Sequence, residues 1–200
     1  MRFYRRAPGL PASLGILSSA FDPPTRAHMA LAHAALAITD EVLFVLPGRF
    51  PHDKTYEGVG LAERVQMLEA AAGDGRCSSI AASEGGLFID IVRECRAAYG
   101  PHVALKIVCG RDAAERAIHW DYGRPGAFLE MLGEFELLVA PRGGPFEPPP
   151  EMRNRIHPLP IPEAYADYSA TEVRARIARG EPWEHLVPDA VAPLARYWYR

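Results

Sequence analysis

Cysteine is scarce in this chain: Cys77, Cys95 and Cys109 are odd in number and lack the short spacing of a metal-binding pair. A disulfide framework and a structural zinc site are therefore not expected, and the three read as buried, reduced thiols of a cytoplasmic protein. An excess of one charge is lacking too. The 22 Lys and Arg residues against 25 Asp and Glu leave a net charge of −3, which gives no global attraction to nucleic acid or to an anionic membrane. No apolar run approaches the roughly 20 residues of a membrane-spanning helix, since even the Ala-rich stretch around Ala30 is interrupted by His28 and His33. Behind Arg2, Arg5 and Arg6 come Pro8, Gly9 and Pro11, where a secretory signal needs an unbroken apolar segment, so export by that route is not expected. The first apolar run, ending at Leu17, is not followed by Gly-x-Gly-x-x-Gly, which argues against a dinucleotide-dependent dehydrogenase. There is no internal repeat.

What the chain does have is an ordinary globular composition, 48% hydrophobic and 24% charged over 200 residues, enough for one packed domain. Short apolar runs at 14–17, 42–46, 79–82, 103–108 and 137–140 read as strands, and the stretches 26–38, 61–72 and 88–99 between them read as helices. Strands joined by helical crossovers pair in parallel and are covered on both faces, which predicts an α/β, doubly wound sheet. Ligands of such sheets sit at the carboxyl ends of the strands. Eight of the nineteen prolines fall between Pro141 and Pro162. That density predicts a surface loop over 142–152 and a short edge strand over 156–160. A small C-terminal helical part follows, over 170–179 and again from Pro188. The first thirteen residues read as an N-terminal extension of a domain spanning 14–200.

The chemistry-bearing residues begin where the first strand ends, at Ser18-Ser19-Ala20-Phe21-Asp22-Pro23-Pro24-Thr25-Arg26-Ala27-His28. Small residues at Ser18, Ser19 and Ala20 let a ligand approach the backbone. Thr25 and His28, three apart at a helix start, share a face. Unpaired N–H groups and the positive end of the helix dipole favour a phosphate there, and a hydroxyl and an imidazole add directed donors. The same two residues also read simply as a helix cap and a histidine on an amphipathic helix.

A second helix start lies at Tyr168-Ser169-Ala170-Thr171-Glu172-Val173-Arg174. Ser169 and Glu172 have capping-box spacing, in which the serine accepts a first-turn N–H and the glutamate reaches back to the cap. Thr171 and Arg174, again three apart, could add a hydroxyl and a guanidinium around a second anion. Between the two starts, Gly110-Arg111-Asp112 follows a strong strand. It reads equally as a ligand-facing element or as a turn capped by Asp112.

Together these segments resemble the nucleotidylyltransferase superfamily, and within it the nicotinate-nucleotide adenylyltransferases. Phe21, Asp22, Pro23, Thr25 and His28 match the Gly-Gly-Thr-Phe-Asp-Pro-x-His-x-Gly-His signature in the form that carries Thr at the first His. Ser169, Thr171 and Arg174 match Ile-Ser-Ser-Thr-x-x-Arg. The departures are Ser18 and Ser19 for the glycine pair, Ala27 for the glycine before the final histidine, Tyr168 for Ile and Ala170 for the second Ser. The resemblance runs from about Leu14 to Val191, roughly the whole chain.

It implies a Rossmann-like fold and transfer of AMP from ATP to a small phosphorylated acceptor, nicotinate mononucleotide in the first place, within NAD biosynthesis. His28, Arg174 and Thr25 are the implied catalytic residues. Ser18, Ser19, Ala20, Phe21, Asp112, Ser169 and Thr171 are implied to bind the nucleotide. Pro51-His52-Asp53-Lys54 resembles a Pro-Pro-His-Lys loop, with Asp53 inserted, and His119-Trp120 stands where a Thr-Trp pair stacks on the pyridine ring. This makes Lys54 and Trp120 the implied acceptor-binding residues, although by themselves they read as a solvated loop charge and a packing aromatic. Mg2+ is expected to arrive with ATP, because no carboxylate cage is visible and this ion prefers phosphates and water. Other transferases of the superfamily, acting on pantetheine phosphate or with a cytidine nucleotide, and a nucleotide-binding module without catalysis, remain as alternatives.

Overall fold

Apolar runs too short to form helices become adjacent strands, and the Ala- and Leu-rich stretches between them become the crossovers. The computed structural model describes residues 1–49, 58–141, 144, 146–165 and 168–199. Among them seven strands form one sheet: β1 (Arg2–Arg5), β2 (Ser13–Ser18), β3 (Glu41–Pro47), β4 (Ser78–Ser83), β5 (Ala104–Gly110), β6 (Glu136–Ala140) and β7 (Ile156–Pro158). Their order is β1-β4-β3-β2-β5-β6-β7, parallel throughout except for β1, which runs antiparallel to β4 at one edge. Within the stretch 1–13, read from sequence as an extension, β1 thus adds an edge strand. Its Arg-Phe-Tyr-Arg composition carries no clear apolar alternation, so it could not be read as a strand.

From β2 the chain winds outward through α1 (Arg26–Leu36) to β3 and α2 (Leu61–Ala71) to β4. It then returns over α3 (Phe88–Tyr99) to β5, and continues through α4 (Arg111–His119) and α5 (Ala127–Met131) to β6. The winding reverses between β2 and β5, which pair directly, with Ile16 beside Ile107. Two cores result. On one face α1 and α2 bury Ala32, Ala35, Val65 and Leu68 against Leu17, Val42 and Phe44. On the other, α3 and α4 bury Ile91, Val92, Cys95, Ala114 and Ala117 against Ile16, Ile107 and Leu137. Gly15 lets α1 seat closely: a Cβ there would stand 3.3 Å from the Ala35 Cβ and 3.2 Å from the Thr39 hydroxyl.

The C-terminal part, α6 (Ala170–Arg179) and α7 (Ala192–Trp198), packs Val173, Val187, Val191 and Ala195 around Met67 of α2, on the α1 side. α7 begins four residues later than the sequence suggests, with Pro193 in its first turn, where a missing N–H costs nothing. The proline-rich stretch yields a short 3-10 turn at Pro150–Met152 and the edge strand β7. Cys95 and Cys109 are buried and their thiols are pushed up to about 12 by desolvation, but Cys77, in the turn before β4, is exposed. The expectation of three buried thiols thus fails for Cys77. No described helix is long and apolar enough to cross a membrane.

At the amino ends of the strands, Glu41 is 3% exposed and takes hydrogen bonds from the hydroxyls of Ser79 and Tyr99, while Ser79 accepts the Ala7 N–H at 2.8 Å. One carboxylate therefore joins β3, β4, α3 and the segment after β1, and burial raises the Tyr99 hydroxyl well above its ordinary range. Glu41→Ala strands both hydroxyls without their acceptor. A loss of about 3 kcal/mol is expected, with Glu41→Gln costing clearly less, as read by urea unfolding.

Candidate functional site

The carboxyl ends of β2 and β5, beside the winding reversal, open into a cleft of about 770 Å³. An open α/β sheet gathers ligands at this point, because the loops leave the sheet in opposite directions there. Ser18, Ser19, Ala20, Thr25 and His28 line it from the β2–α1 turn, Asp112 from the start of α4, and Ser169, Thr171 and Arg174 from the start of α6. Residues about 140 positions apart in sequence therefore share one cavity.

The β2–α1 turn is built around Phe21. Its φ of +50° lies in the left-handed region that an aromatic residue rarely adopts. Burial holds it there: Phe21 is fully inaccessible, edge-on to Phe44 and 5.0 Å from the His28 ring between centroids. Phe21 thus stands behind the cleft wall and is not among the residues lining it. Arg64 of α2, itself buried, donates to the Ala20 carbonyl at 3.1 Å and supports the same turn from below.

Thr25 caps α1, its hydroxyl accepting the His28 N–H, while the Thr25 N–H donates to His28 Nδ1 at 3.0 Å. Histidine thus takes the place of the glutamate in a capping box. The chemical consequence concerns the proton. A ring nitrogen that accepts an amide N–H carries no hydrogen, so the neutral imidazole bears its proton on Nε2. That atom lies 3.1 Å from the Ser19 hydroxyl, on the cleft side. The cap therefore selects the tautomer that presents a donor to the cleft.

At the α6 start, Ser169 accepts the Glu172 N–H at 3.1 Å. The reciprocal half of the expected box does not form, because the Glu172 carboxylate turns to Arg176 at 2.7 Å one helical turn on. The Arg174 guanidinium reaches across to the first turn. It donates to the Asp22 carbonyl and stands 3.4 Å from the Asp22 carboxylate. Asp22 is 2% exposed; its other carboxylate oxygen accepts the Tyr199 hydroxyl and the Val59 N–H. Arg26 adds a second tie, to the His185 carbonyl at 3.1 Å and to Asp189 at 2.7 Å. These bonds fix α6 and α7 against α1, so the two helix starts keep a set spacing.

Of the two residues that the resemblance assigns to the acceptor, the structure describes Trp120, which stands apart from the cleft. Trp120 ends α4 and lines a second hollow of about 450 Å³ with Asp121, Tyr122 and Phe128, and is not among the residues lining the cleft. Lys54 lies outside the described residues. The sequence reading passed over α4 itself, with its polar Arg-Asp-Ala-Ala-Glu-Arg start, and with it Arg116 on the cleft wall. It passed over Arg64 and Tyr199 as well, and gave no role to Asp22, which it matched to the signature. Spacing does show Arg116, which lies four residues after Asp112 and so on the same helix face. Among the described residues no group of three or more His, Cys, Asp or Glu could hold a metal ion.

The sequence profile of the cytidylyltransferase-like family matches residues 16–176. Over 206 residues the chain is 30% identical to the probable nicotinate-nucleotide adenylyltransferase of Moorella thermoacetica, covering 93% of this chain and 90% of that one. It is likewise 30% identical to the protein of the same description from Chromobacterium violaceum, over 92% of this chain and 96% of that one. Among solved structures, the Plasmodium falciparum nicotinic acid mononucleotide adenylyltransferase complexed with NaAD superposes with a TM-score of 0.72 at 17% identity, over 92% of this chain and 95% of that one. That superposition bears on the fold.

Proposed function

Because the chain belongs to the cytidylyltransferase-like family of nucleotidyltransferases, we propose that it transfers the AMP group of ATP to a pyridine mononucleotide, nicotinate mononucleotide first, and releases pyrophosphate. The observation that carries this reading is the bond from Arg174 to Asp22, which joins the two helix starts around one cleft. Two converging N-termini with hydroxyls, an imidazole and a guanidinium suit a polyphosphate better than a single phosphate. The pyridine acceptor rests on the relatives, several of which are described as nicotinate-nucleotide adenylyltransferases.

In this reading an oxygen of the acceptor's phosphate attacks the α-phosphorus of ATP in line. The new P–O bond forms as the bond to the β-phosphate oxygen breaks, and pyrophosphate leaves with the electron pair. No proton need move and no enzyme group becomes covalently attached, so the protein's task is positioning and charge stabilisation. His28 Nε2–H and Arg174 meet the charge growing on the phosphoryl oxygens. Thr25 fixes the His28 tautomer, Ser169 and Thr171 orient the phosphates, and Ser18, Ser19 and Ala20 admit the nucleotide against the backbone beside Asp112.

Mg2+ bound with the nucleotide would supply charge neutralisation at the phosphates. The donor set suits that role: Asp22 is engaged by Tyr199, Val59 and Arg174, and Asp112 is the other carboxylate on the cleft wall, so phosphate oxygens and water would supply most of the ion's ligands.

Incubation with ATP, Mg2+ and each candidate acceptor tests the reading. Pyrophosphate and a dinucleotide are expected with nicotinate mononucleotide. Turnover only with pantetheine phosphate, or only from CTP, would move the chain to another branch of its family. ATP binding without turnover for any acceptor would make it a binding module.

A further inference from the structure

The cleft has two walls of different character. α1 and α6, with His28 and Arg174, lie on one face of the sheet together with α2, whereas α3 and α4 lie on the other. On this second wall Gly86 and Phe88 at the start of α3 face the cleft together with Asp112, Ala113 and Arg116 of α4. Arg116 is exposed, and among the described residues it has no hydrogen-bond or ion-pair partner. Its helix neighbours are otherwise engaged: Glu115 pairs with Arg111 at 3.5 Å. Arg174, by contrast, is already tied to Asp22.

We propose that Arg116 is a specificity-determining residue that recognises the ring carboxylate of the acceptor, and so selects an acidic pyridine mononucleotide over its amide. This inference rests on the adenylyl-transfer reading above. The reasoning is one of chemical inventory. In-line attack brings the triphosphate and the acceptor's phosphate together at His28 and Arg174, on the first wall. What remains of ATP, the adenosine, is uncharged. What remains of the acceptor is a ribose and a ring, and in the acid form that ring carries the one anionic group distant from the reacting centre. A guanidinium without a protein partner on the far wall has that carboxylate as its matching group. Arg is the side chain that meets a carboxylate through two parallel N–H bonds. Asp112, one turn earlier on the same helix and beside the nucleotide in the reading above, would repel a carboxylate on this wall, and the Arg116 cation offsets that repulsion. The amide form, neutral at the same position, gains no charge-assisted bond from Arg116.

Steady-state kinetics of the full chain with nicotinate mononucleotide and nicotinamide mononucleotide, at saturating ATP and Mg2+, tests this. Arg116→Ala is expected to lower kcat/KM for the acid by about 30-fold, the worth of a charge-assisted bond pair, through KM more than kcat. The amide should change by less than about threefold and KM for ATP should hold, so the acid-to-amide ratio collapses. Arg116→Lys should recover part of the ratio, and calorimetric binding of the two mononucleotides should follow it where the amide turns over too slowly. An equal fall for both acceptors, a raised KM for ATP, or an unchanged ratio would overturn the assignment. If the unmodified protein releases no pyrophosphate with either mononucleotide, the adenylyl-transfer reading fails first, and that outcome is separate from any effect of the substitution.

Discussion

Replacing His28 by alanine is expected to lower kcat about 10²- to 10³-fold, the usual cost of removing one preorganised donor to a developing oxyanion. Binding should suffer less, because the N–H groups at the start of α1 remain. The position has a second duty that must be separated from the first. His28 Nδ1 accepts the Thr25 N–H, so alanine also removes half of the cap and should cost about 1 kcal/mol of stability. His28→Gln divides the two effects. Its side-chain oxygen can reach back to the Thr25 N–H as glutamine does in an ordinary capping box, while the imidazole is replaced by an amide whose N–H is not held in the ring's position and cannot become charged. Thermal stability near that of the unmodified chain with kcat still at least tenfold down is the expected result, measured by unfolding and by pyrophosphate release. Full activity in His28→Ala would end the assignment of this ring to the reacting phosphates.

The two helix starts that meet at the cleft were legible in sequence because each is a local pattern: a capping residue and a polar side chain on the same face three positions on. Capping chemistry depends on neighbours within a turn, so spacing alone reports it. The sheet was legible for the same reason, since the run 42–46 is apolar at every position, as a strand buried on both faces must be, and 103–108 is broken only by Lys106. What escaped depends on distant partners. Phe21 belongs to the family signature, yet only the packing of Phe44 and the His28 ring shows that it supports the turn from behind. Arg64 reads as a charge on a solvated helix face, and its burial is visible only once the Ala20 carbonyl is found beside it. The second half of the Ser169 box was expected from spacing. It was lost to a competitor at equally good spacing, Arg176, whose charge binds the Glu172 carboxylate more strongly than a backbone amide does.

Asp22 gives the clearest instance of a residue whose role no local pattern states, and Arg174 is the side chain through which that role can be measured. Arg174→Ala is expected to reduce kcat by about 10³-fold, because it removes a charge that would be poised over the phosphates without any motion of the backbone. Arg174→Lys keeps the charge but has a single ammonium where the guanidinium forks. One ammonium cannot bond the Asp22 carbonyl and a phosphoryl oxygen along the fixed directions the planar group allows, so lysine should restore no more than about tenfold of the loss. Asp22→Asn approaches the same contact from the other side. It leaves Arg174 and its bond to the Asp22 carbonyl in place but removes the carboxylate charge that stands 3.4 Å from the guanidinium. A drop in kcat with KM for ATP held is expected there, smaller than for Arg174→Ala, because the guanidinium remains but is less firmly aimed. If Arg174→Ala instead raised KM for ATP and left kcat alone, Arg174 would contribute equally to bound substrate and to the transition state. Only the anchoring of ATP could then be ascribed to its tie with Asp22.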